Sequence, residues 1–397
     1  MNEYDVAVVG GGPIGSSVAQ HLAATGVSVA IIEEHATIGE PLHCAGIVTQ
    51  RVIDRTSCDY HEIVQNEIYG ACIHSPSGAT LTIGGEKKHA VVINRQRFDE
   101  TLARNAQNAG ADLFLHHKVL FAQAQKNHAM LSIQHNEKTI PLQCKIIIGA
   151  DGPHSTIRKN FGFPNPAEML NGIGAELTDL TINPRIVHIF VGNKIAPGFF
   201  AWVIPTNTKG TAARIGLAIP NRNKHPIQHY FTDLLKQPLL QHATIMRRFG
   251  GVIPLGPLKQ TTTDHVLLIG DAAAQVKPTS GGGLYPGLLC ANHCARITHE
   301  ALHTHQYTNR FLKRYHTAWS KDIGKELSLG MRFRNIYSHL SDKQLDKYIE
   351  KLNNQKTIDI INTYGDIDYP SRLAIPLVKK IPSLLSLAPA MLKRIKP

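Results

Sequence analysis

The stretch Tyr4-Asp5-Val6-Ala7-Val8-Val9-Gly10-Gly11-Gly12-Pro13-Ile14-Gly15 decides how this chain begins to fold. Tyr4–Val9 reads as a short buried strand that runs straight into a glycine loop. A helical pattern follows from Ser16 to Thr25, Gly26 stops it, and Val27–Ile32 is the next apolar run. Strand, loop, helix and strand in that order make a βαβ unit. Gly10 permits the tight turn, Gly12 lets the backbone approach a pyrophosphate, and Gly15 lets helix and strand pack closely. Amides at the start of the helix attract the anion. Glu33 ends the second strand, where a carboxylate accepts hydrogen bonds from ribose hydroxyls and repels a 2′-phosphate. The unit is expected to bind a dinucleotide, with NADP disfavoured at this site.

The rest of the chain is arranged around that unit. Asn94–Ala109 is a second helix, with Phe98, Leu102, Ala103 and Ala106 on one side, and Gly110 stops it. Lys145–Ile148 is another buried strand. From about Glu176 the pattern changes: Ile186–Val191, Phe199–Ile204 and Ala212–Ile219 read as strands bounded by Pro, Gly and Asn. Ile227–Leu235 carries a helical stripe, Val266–Ile269 returns to the buried-strand style, and the chain is mostly helical from Gln306 onward. The expected division is a discontinuous dinucleotide-binding domain over 1–75, 90–172 and 255–305, a sheet-rich substrate domain over 76–89 and 173–254, and a helical region over 306–397.

Composition narrows the classes. At 397 residues the chain exceeds one ordinary core. Its 42 basic against 30 acidic residues give a net charge of +12, which suits acidic partners such as anionic headgroups or phosphorylated substrates. No basic stretch with interleaved aromatics is present, so nucleic acid is not expected as a partner. The 6 cysteines are scattered and do not read as a disulfide framework. Cys290 and Cys294, one helical turn apart, are not a ligand set; buried helix thiols and no metal are expected. The N-terminus does not read as a signal peptide, and no apolar run is long enough for a transmembrane helix. The expected location is cytoplasmic, soluble or peripheral on the inner face of the membrane. The final segment, Ser371–Pro397, has no acidic residue but carries Arg372, Lys379, Lys380, Lys393, Arg394 and Lys396 among apolar residues. It reads either as a membrane-surface segment or as a helix packed on the protein body, with Pro376, Pro382 and Pro389 breaking any long helix.

Three motifs far downstream point to the dinucleotide's identity. Val266-Leu267-Leu268-Ile269-Gly270-Asp271 resembles the second fingerprint of FAD-dependent reductases and hydroxylases, in which the Asp binds the ribityl or pyrophosphate region. Ser280-Gly281-Gly282-Gly283-Leu284 then opens a helix whose amides would face the flavin ring. Gly149-Ala150-Asp151-Gly152, followed by Ser155 and Arg158, resembles the third fingerprint of the same superfamily. The fold class implied is α/β: an FAD-binding Rossmann-type domain, p-hydroxybenzoate hydroxylase-like, with an inserted sheet-rich domain and a helical C-terminal region.

Four further segments are similar to the geranylgeranyl reductase family, including the archaeal digeranylgeranylglycerophospholipid reductases. They are Gly39-Glu40-Pro41-Leu42-His43-Cys44-Ala45-Gly46, the helix start from Asn94 through Arg95 to Leu102, Phe200-Ala201-Trp202-Val203-Ile204-Pro205, and Lys277–Tyr285. The resemblance implies cofactor contacts at Gly10, Gly12, Ile14, Gly15, Glu33, Cys44, Ala45, Arg95, Val119, Asp271, Gly283 and Leu284, and substrate contacts at Phe200, Trp202 and Tyr285. Phe200 and Ile204 depart from the family's Tyr and Phe and reshape the substrate wall.

The implied reaction saturates prenyl double bonds of an isoprenoid lipid or prenyl diphosphate by hydride transfer from reduced flavin. Cys44 is the candidate proton donor or organiser; a thiol merely packed against the flavin is the plainer alternative. No second dinucleotide fingerprint is visible, so the external electron donor is expected to be transiently docked NAD(P)H or a ferredoxin-like protein. The rival readings are a flavin-dependent halogenase, since Phe-x-Trp-x-Ile-Pro also resembles that family's motif, and an aromatic hydroxylase. A halogenase would need a tunnel lysine, and Lys87 and Lys88 lie in what reads as a hairpin turn.

Overall fold

The computed structural model describes residues 2–380. In its eight-stranded sheet, Asn2–Val9 is the middle of a parallel run, between Val29–Ile32 and Lys138–Gly149. Val266–Leu268 extends the run on one side and Asp112–Phe114 on the other. Strands buried on both faces read as continuous apolar runs rather than alternating ones, and both faces here are covered. Val6, Val8, Ile31 and Ile146 point toward the helices Pro13–Ala23, Arg95–Asn108 and Leu284–His303. Ala7, Val9, Ile32 and Ile147 point toward an antiparallel ribbon, His117–Ala124 with Ala129–His135. The strand expected at Lys145–Ile148 is the end of the much longer Lys138–Gly149, whose first half is too polar to register as a buried run.

The seven-stranded sheet is the inserted domain. Its order is Thr244–Leu255, Glu168–Thr178, Ala213–Pro220, Phe200–Pro205, Ile186–Val191, Gly70–His74, Thr80–Gly84. Helix Ile227–Leu235 covers one face through Tyr230, Phe231 and Leu234. The domain boundaries shift accordingly. Gly70–His74, expected within 1–75 of the dinucleotide domain, pairs in parallel with Ile186–Val191, and Glu168–Thr178 starts the sheet before residue 173. The Lys87–Lys88 run is not a hairpin turn: Thr80–Gly84 belongs to the seven-stranded sheet, whereas Ala90–Ile93 belongs to a small third sheet with Ile47–Val48 and Val64–Ile68.

The C-terminal helices do not form a body of their own. In Asn309–Trp319, Leu312, Tyr315 and Trp319 complete the dinucleotide core, while Leu345 and Ile349 pack against Leu81 and Val191 of the inserted sheet. Helix Ser371–Lys380 includes Pro376. The Ser371 amide donates to Glu326, and Arg372 pairs with Asp366, so the start of the basic segment is fastened to the body. The part of that segment beyond 380 lies outside the described residues. Among the described residues, no helix is long and apolar enough to cross a membrane.

Candidate functional site

The glycine loop has the geometry its spacing requires. Gly10 sits at φ +103°, its amide donates to the Ile32 carbonyl, and a Cβ there would lie 2.4 Å from the Ala150 oxygen. A Cβ on Gly15 would lie 2.0 Å from the Gly10 oxygen. Around Gly12 the situation is opposite: a Cβ would meet nothing within 4 Å, so the N-terminus of helix Pro13–Ala23 opens onto free space. That is the cradle a pyrophosphate needs. Ile14 wedges against Gly270 and Gly287, tying this helix to the second motif.

Glu33 is 9% exposed and is held by its own chain. The Gly11 amide donates to Oε2 at 2.7 Å, the His35 amide donates to Oε1 at 2.9 Å, and the His35 ring Nδ1 lies 2.6 Å from Oε1. Val119 is buried beside Val9 and Ile32, beneath the strand ends. In the third motif, Asp151 accepts from the Ser155 hydroxyl and the Ile157 amide, and burial raises its pKa. The buried Arg158 donates to the carbonyls of Pro153 and Ala272, which locks the Gly149–Gly152 turn onto the Asp271 turn.

Asp271 differs from Glu33. Among the described residues no donor reaches its carboxylate, and burial pushes its pKa up to about 6 against the pull of Arg95. Gly283 caps helix Leu284–His303, and a Cβ on it would come within 2.8 Å of Asp271 Oδ1. Leu284 packs against the core at the start of that helix. An unpartnered, half-buried carboxylate, a free helix start and an open glycine cradle fit a cofactor with a diphosphate and a polyhydroxyl chain.

Arg95 joins the two halves of the site. It forks onto Asp99 with contacts of 2.9, 3.1 and 3.2 Å. Burial opposes its charge, but Asp99 and Cys44 together raise its pKa. The Gly46 amide donates to Cys44 Sγ at 3.3 Å. Sequence reasoning missed what holds this loop. Arg214, 4% exposed, donates to the carbonyls of Ala45 and Ile93, to Gln65 and to Glu176. The signal was present: a lone charge in the otherwise apolar run Ala212–Ile219 must be paired.

Across from the loop stands an apolar face. Trp202 and Ala45 pack against one cluster that includes Ile68, Val92 and Ile204. Trp202 and Phe200 also pack against a second cluster containing Leu170, Phe199 and Val276, joined by Ile253 and Met331. Phe200 stacks on Phe199 at 4.2 Å and meets Trp202 edge-on. Gly216 makes room for the indole, whose buried N–H has no partner among the described residues. Tyr285 does not join this face: it is buried in the dinucleotide core, with its hydroxyl 2.8 Å from that of Tyr369. An open cleft of about 500 Å³ lies outside the loop, between Glu40–His43 and Arg247–Gly250.

The C-terminal helices fasten the loop that faces this site. Lys277 pairs with Asp368 at 2.6 Å, both buried, while Thr49 donates to the other oxygen of Asp368 and Arg51 adds a contact to that oxygen. Arg334 forks onto Glu168 at 2.7 Å and donates to Gly198.

Fold and site together define an FAD-dependent oxidoreductase of the p-hydroxybenzoate hydroxylase-like fold. The FAD binding domain family matches residues 3–316. Digeranylgeranylglycerophospholipid reductase 2 of Methanothermobacter thermautotrophicus is 30% identical over 387 residues, 94% of this chain and 98% of the relative. An uncharacterised protein of Methanocaldococcus jannaschii is 32% identical over 96% of both chains. Among solved structures, a geranylgeranyl bacteriochlorophyll reductase-like protein from Thermoplasma acidophilum superposes with a TM-score of 0.87 at 23% identity, covering 99% of this chain and 100% of that one. The chain belongs to the digeranylgeranylglycerophospholipid reductase family of FAD-binding proteins.

Proposed function

We propose that this protein is an FAD-dependent reductase that saturates prenyl double bonds of an isoprenoid lipid or prenyl diphosphate. Two observations support the reading: Arg95 acts electrostatically on both Cys44 and Asp271, and Ala45, next to Cys44, shares an apolar cluster with Trp202, which also packs with Phe200, Ile253 and Met331. When bound, reduced FAD supplies the hydride. Gly12 and the helix starts at Pro13 and Leu284 hold the diphosphate and ring, Glu33 and Asp271 accept hydroxyls, and Arg95 fixes the Cys44 loop. The apolar face seats the polyprenyl chain and excludes water. Cys44 Sγ would hold the proton given to one alkene carbon, with the thiolate then reprotonated from solvent; together with the hydride that reduced FAD would supply, the double bond would gain one hydrogen on each carbon.

The decisive assay is anaerobic. The protein is reduced with dithionite and mixed with geranylgeranyl diphosphate or a digeranylgeranyl glycerophospholipid. The product mass should rise by pairs of hydrogens as the flavin reoxidises. Reduced flavin that persists until oxygen is admitted would instead favour the halogenase or hydroxylase reading. Against a halogenase, Lys88 is already engaged by Glu67 and Tyr60. Replacing Cys44 by Ala or Ser should abolish alkene reduction and leave FAD bound; unchanged turnover would reject its role as proton source. Electrons arrive from NAD(P)H or a ferredoxin-like donor, and the basic C-terminal segment rests on an anionic lipid surface. Stopped-flow reduction with each donor and co-sedimentation with anionic vesicles check these two points.

A further inference from the structure

We propose that Cys72, His74 and His188 bind a d-block divalent cation, with zinc the best match to the donors, on the face of the inserted sheet opposite Trp202. Strand geometry sets the site. Cys72 and His74 are two apart on Gly70–His74, so both side chains leave the same face. His188 is the register partner of Cys72 on the adjacent parallel strand. His188 is also opposite Val203, and Val203 opposite Ile215, two residues of the core beneath helix Ile227–Leu235. Trp202 is one residue off that register and faces the other way. The site is therefore separate from the flavin site.

Donor type and spacing both fit. The three ligand atoms, Cys72 Sγ and one nitrogen of each histidine, lie within 4.8 Å of one another, and all three residues are partly exposed. His74 Nε2 is 2.9 Å from His188 Nδ1. Tetrahedral zinc, with Zn–N of about 2.0–2.1 Å and Zn–S of about 2.3 Å, needs ligand separations of roughly 3.3–3.7 Å. The imidazoles need to part by only a few tenths of an ångström. The His74 ring is already oriented by stacking on Phe190, with centroids 4.2 Å apart and planes at 11°. One thiol and two imidazoles suit zinc or its soft neighbours and not magnesium or calcium, which take oxygen. Binding would release the Cys72 thiol proton to solvent, the proton between the rings would shift to the outer nitrogen of the imidazole that carries it, and a water would complete the coordination. The only parallel pairing of this sheet among the described residues joins these two strands, so the ion would staple Gly70–His74 to a strand more than a hundred positions away.

The test uses the full, FAD-loaded chain, stripped with chelator, kept reduced, incubated with zinc chloride and desalted. Wild type should retain about one zinc per chain and melt at a higher temperature than without zinc. Cys72→Ser and His188→Gln should each bind zinc at least ~10-fold more weakly and lose the zinc-dependent rise in melting temperature. Unchanged flavin absorbance in these variants shows that they fold; if either loses FAD, His74→Gln takes its place. The chain's 22 histidines supply a nonspecific background, so the comparison with the variants decides. Wild type retaining no more zinc than the variants would overturn the site. Cobalt gives a second reading: intense d–d bands to the red of the flavin, absent in Cys72→Ser, support it, and a weak six-coordinate spectrum overturns it.

Discussion

Glu33 and Asp271 stand at the ends of two strands of the same sheet and are the two carboxylates of the proposed FAD site, yet they are built differently. Three of the roughly four acceptor positions of Glu33 are occupied by Gly11 and His35. Those of Asp271 receive nothing from the described residues. The Glu33 end is therefore assembled by the chain itself, and its carboxylate braces the glycine loop whatever it does for the proposed cofactor. In the proposed site, the Asp271 end would be completed by FAD. Until then it holds a carboxylate that burial destabilises in its charged form. Substitutions at the first end should register in folding, and those at the second in flavin affinity.

The largest effect should come from Gly15→Ala. Its Cβ would meet the Gly10 carbonyl at 2.0 Å, where both partners are backbone and neither can give way. The expected outcome is loss of soluble, FAD-containing protein on expression; a yellow, folded variant would break the comparison. Next is Asp368→Ala, which leaves Lys277 buried without its partner and should cost about 3–5 kcal/mol in denaturant unfolding. This loss falls on the loop that leads from Asp271 to Gly283, so flavin release should accompany it.

Asp271→Asn should separate the two properties. Losing charge-assisted hydrogen bonds worth about 1.5–3 kcal/mol predicts FAD binding weaker by roughly 10- to 100-fold in fluorescence titration. The flavin-free protein should move the opposite way. In the folded chain Asp271 titrates at about 6 rather than 3.8. The native state thus holds a proton that the unfolded state has released, and Asp271's contribution to stability falls as pH rises from about 4 through about 6. Thermal melts of flavin-free wild type and Asp271→Asn should coincide near pH 4, with the variant melting higher near pH 7. A constant gap across that range would show that the folded chain does not raise the pKa of Asp271.

The difference between the two ends also accounts for what was legible in the sequence. The Gly10–Gly15 loop, Glu33, the Asp271 turn and the Gly283 helix start are each local motifs, so spacing for the first two and resemblance for the others brought them out as candidates, and the motifs together pointed to the fold. What spacing could not show is carried across the chain. Arg214 grips the Ala45 loop from another sheet, Asp368 pairs with Lys277 across 91 positions, and Arg334 with Glu168 across 166. The C-terminal region shows no motif because its contribution is a set of single contacts, each meaningful only once the helices are in place. Tyr285 shows the converse error: it lies inside a matching motif, but its side chain turns into the core toward Tyr369. A motif fixes a backbone path, and the packing decides which side chains face the ligand.

Glu33→Gln gives the smallest and most discriminating effect. An amide keeps one acceptor oxygen and nearly the same shape, so it can serve either the Gly11 amide or the His35 side of the network but not both. If Glu33 is chiefly a brace, the variant should lose about 1 kcal/mol of stability, the size of one net hydrogen bond, and bind FAD less than ~10-fold more weakly. If it is chiefly a ribose ligand, stability should hold while affinity falls as far as in Asp271→Asn. The two variants measured side by side, each by unfolding and by FAD titration, place the ends of the site on one scale. Because Gly11 is bonded to Glu33 and also sits between the two glycines of the cradle, the brace reading adds one more expectation: any affinity lost in Glu33→Gln should scale with the loss of stability rather than exceed it.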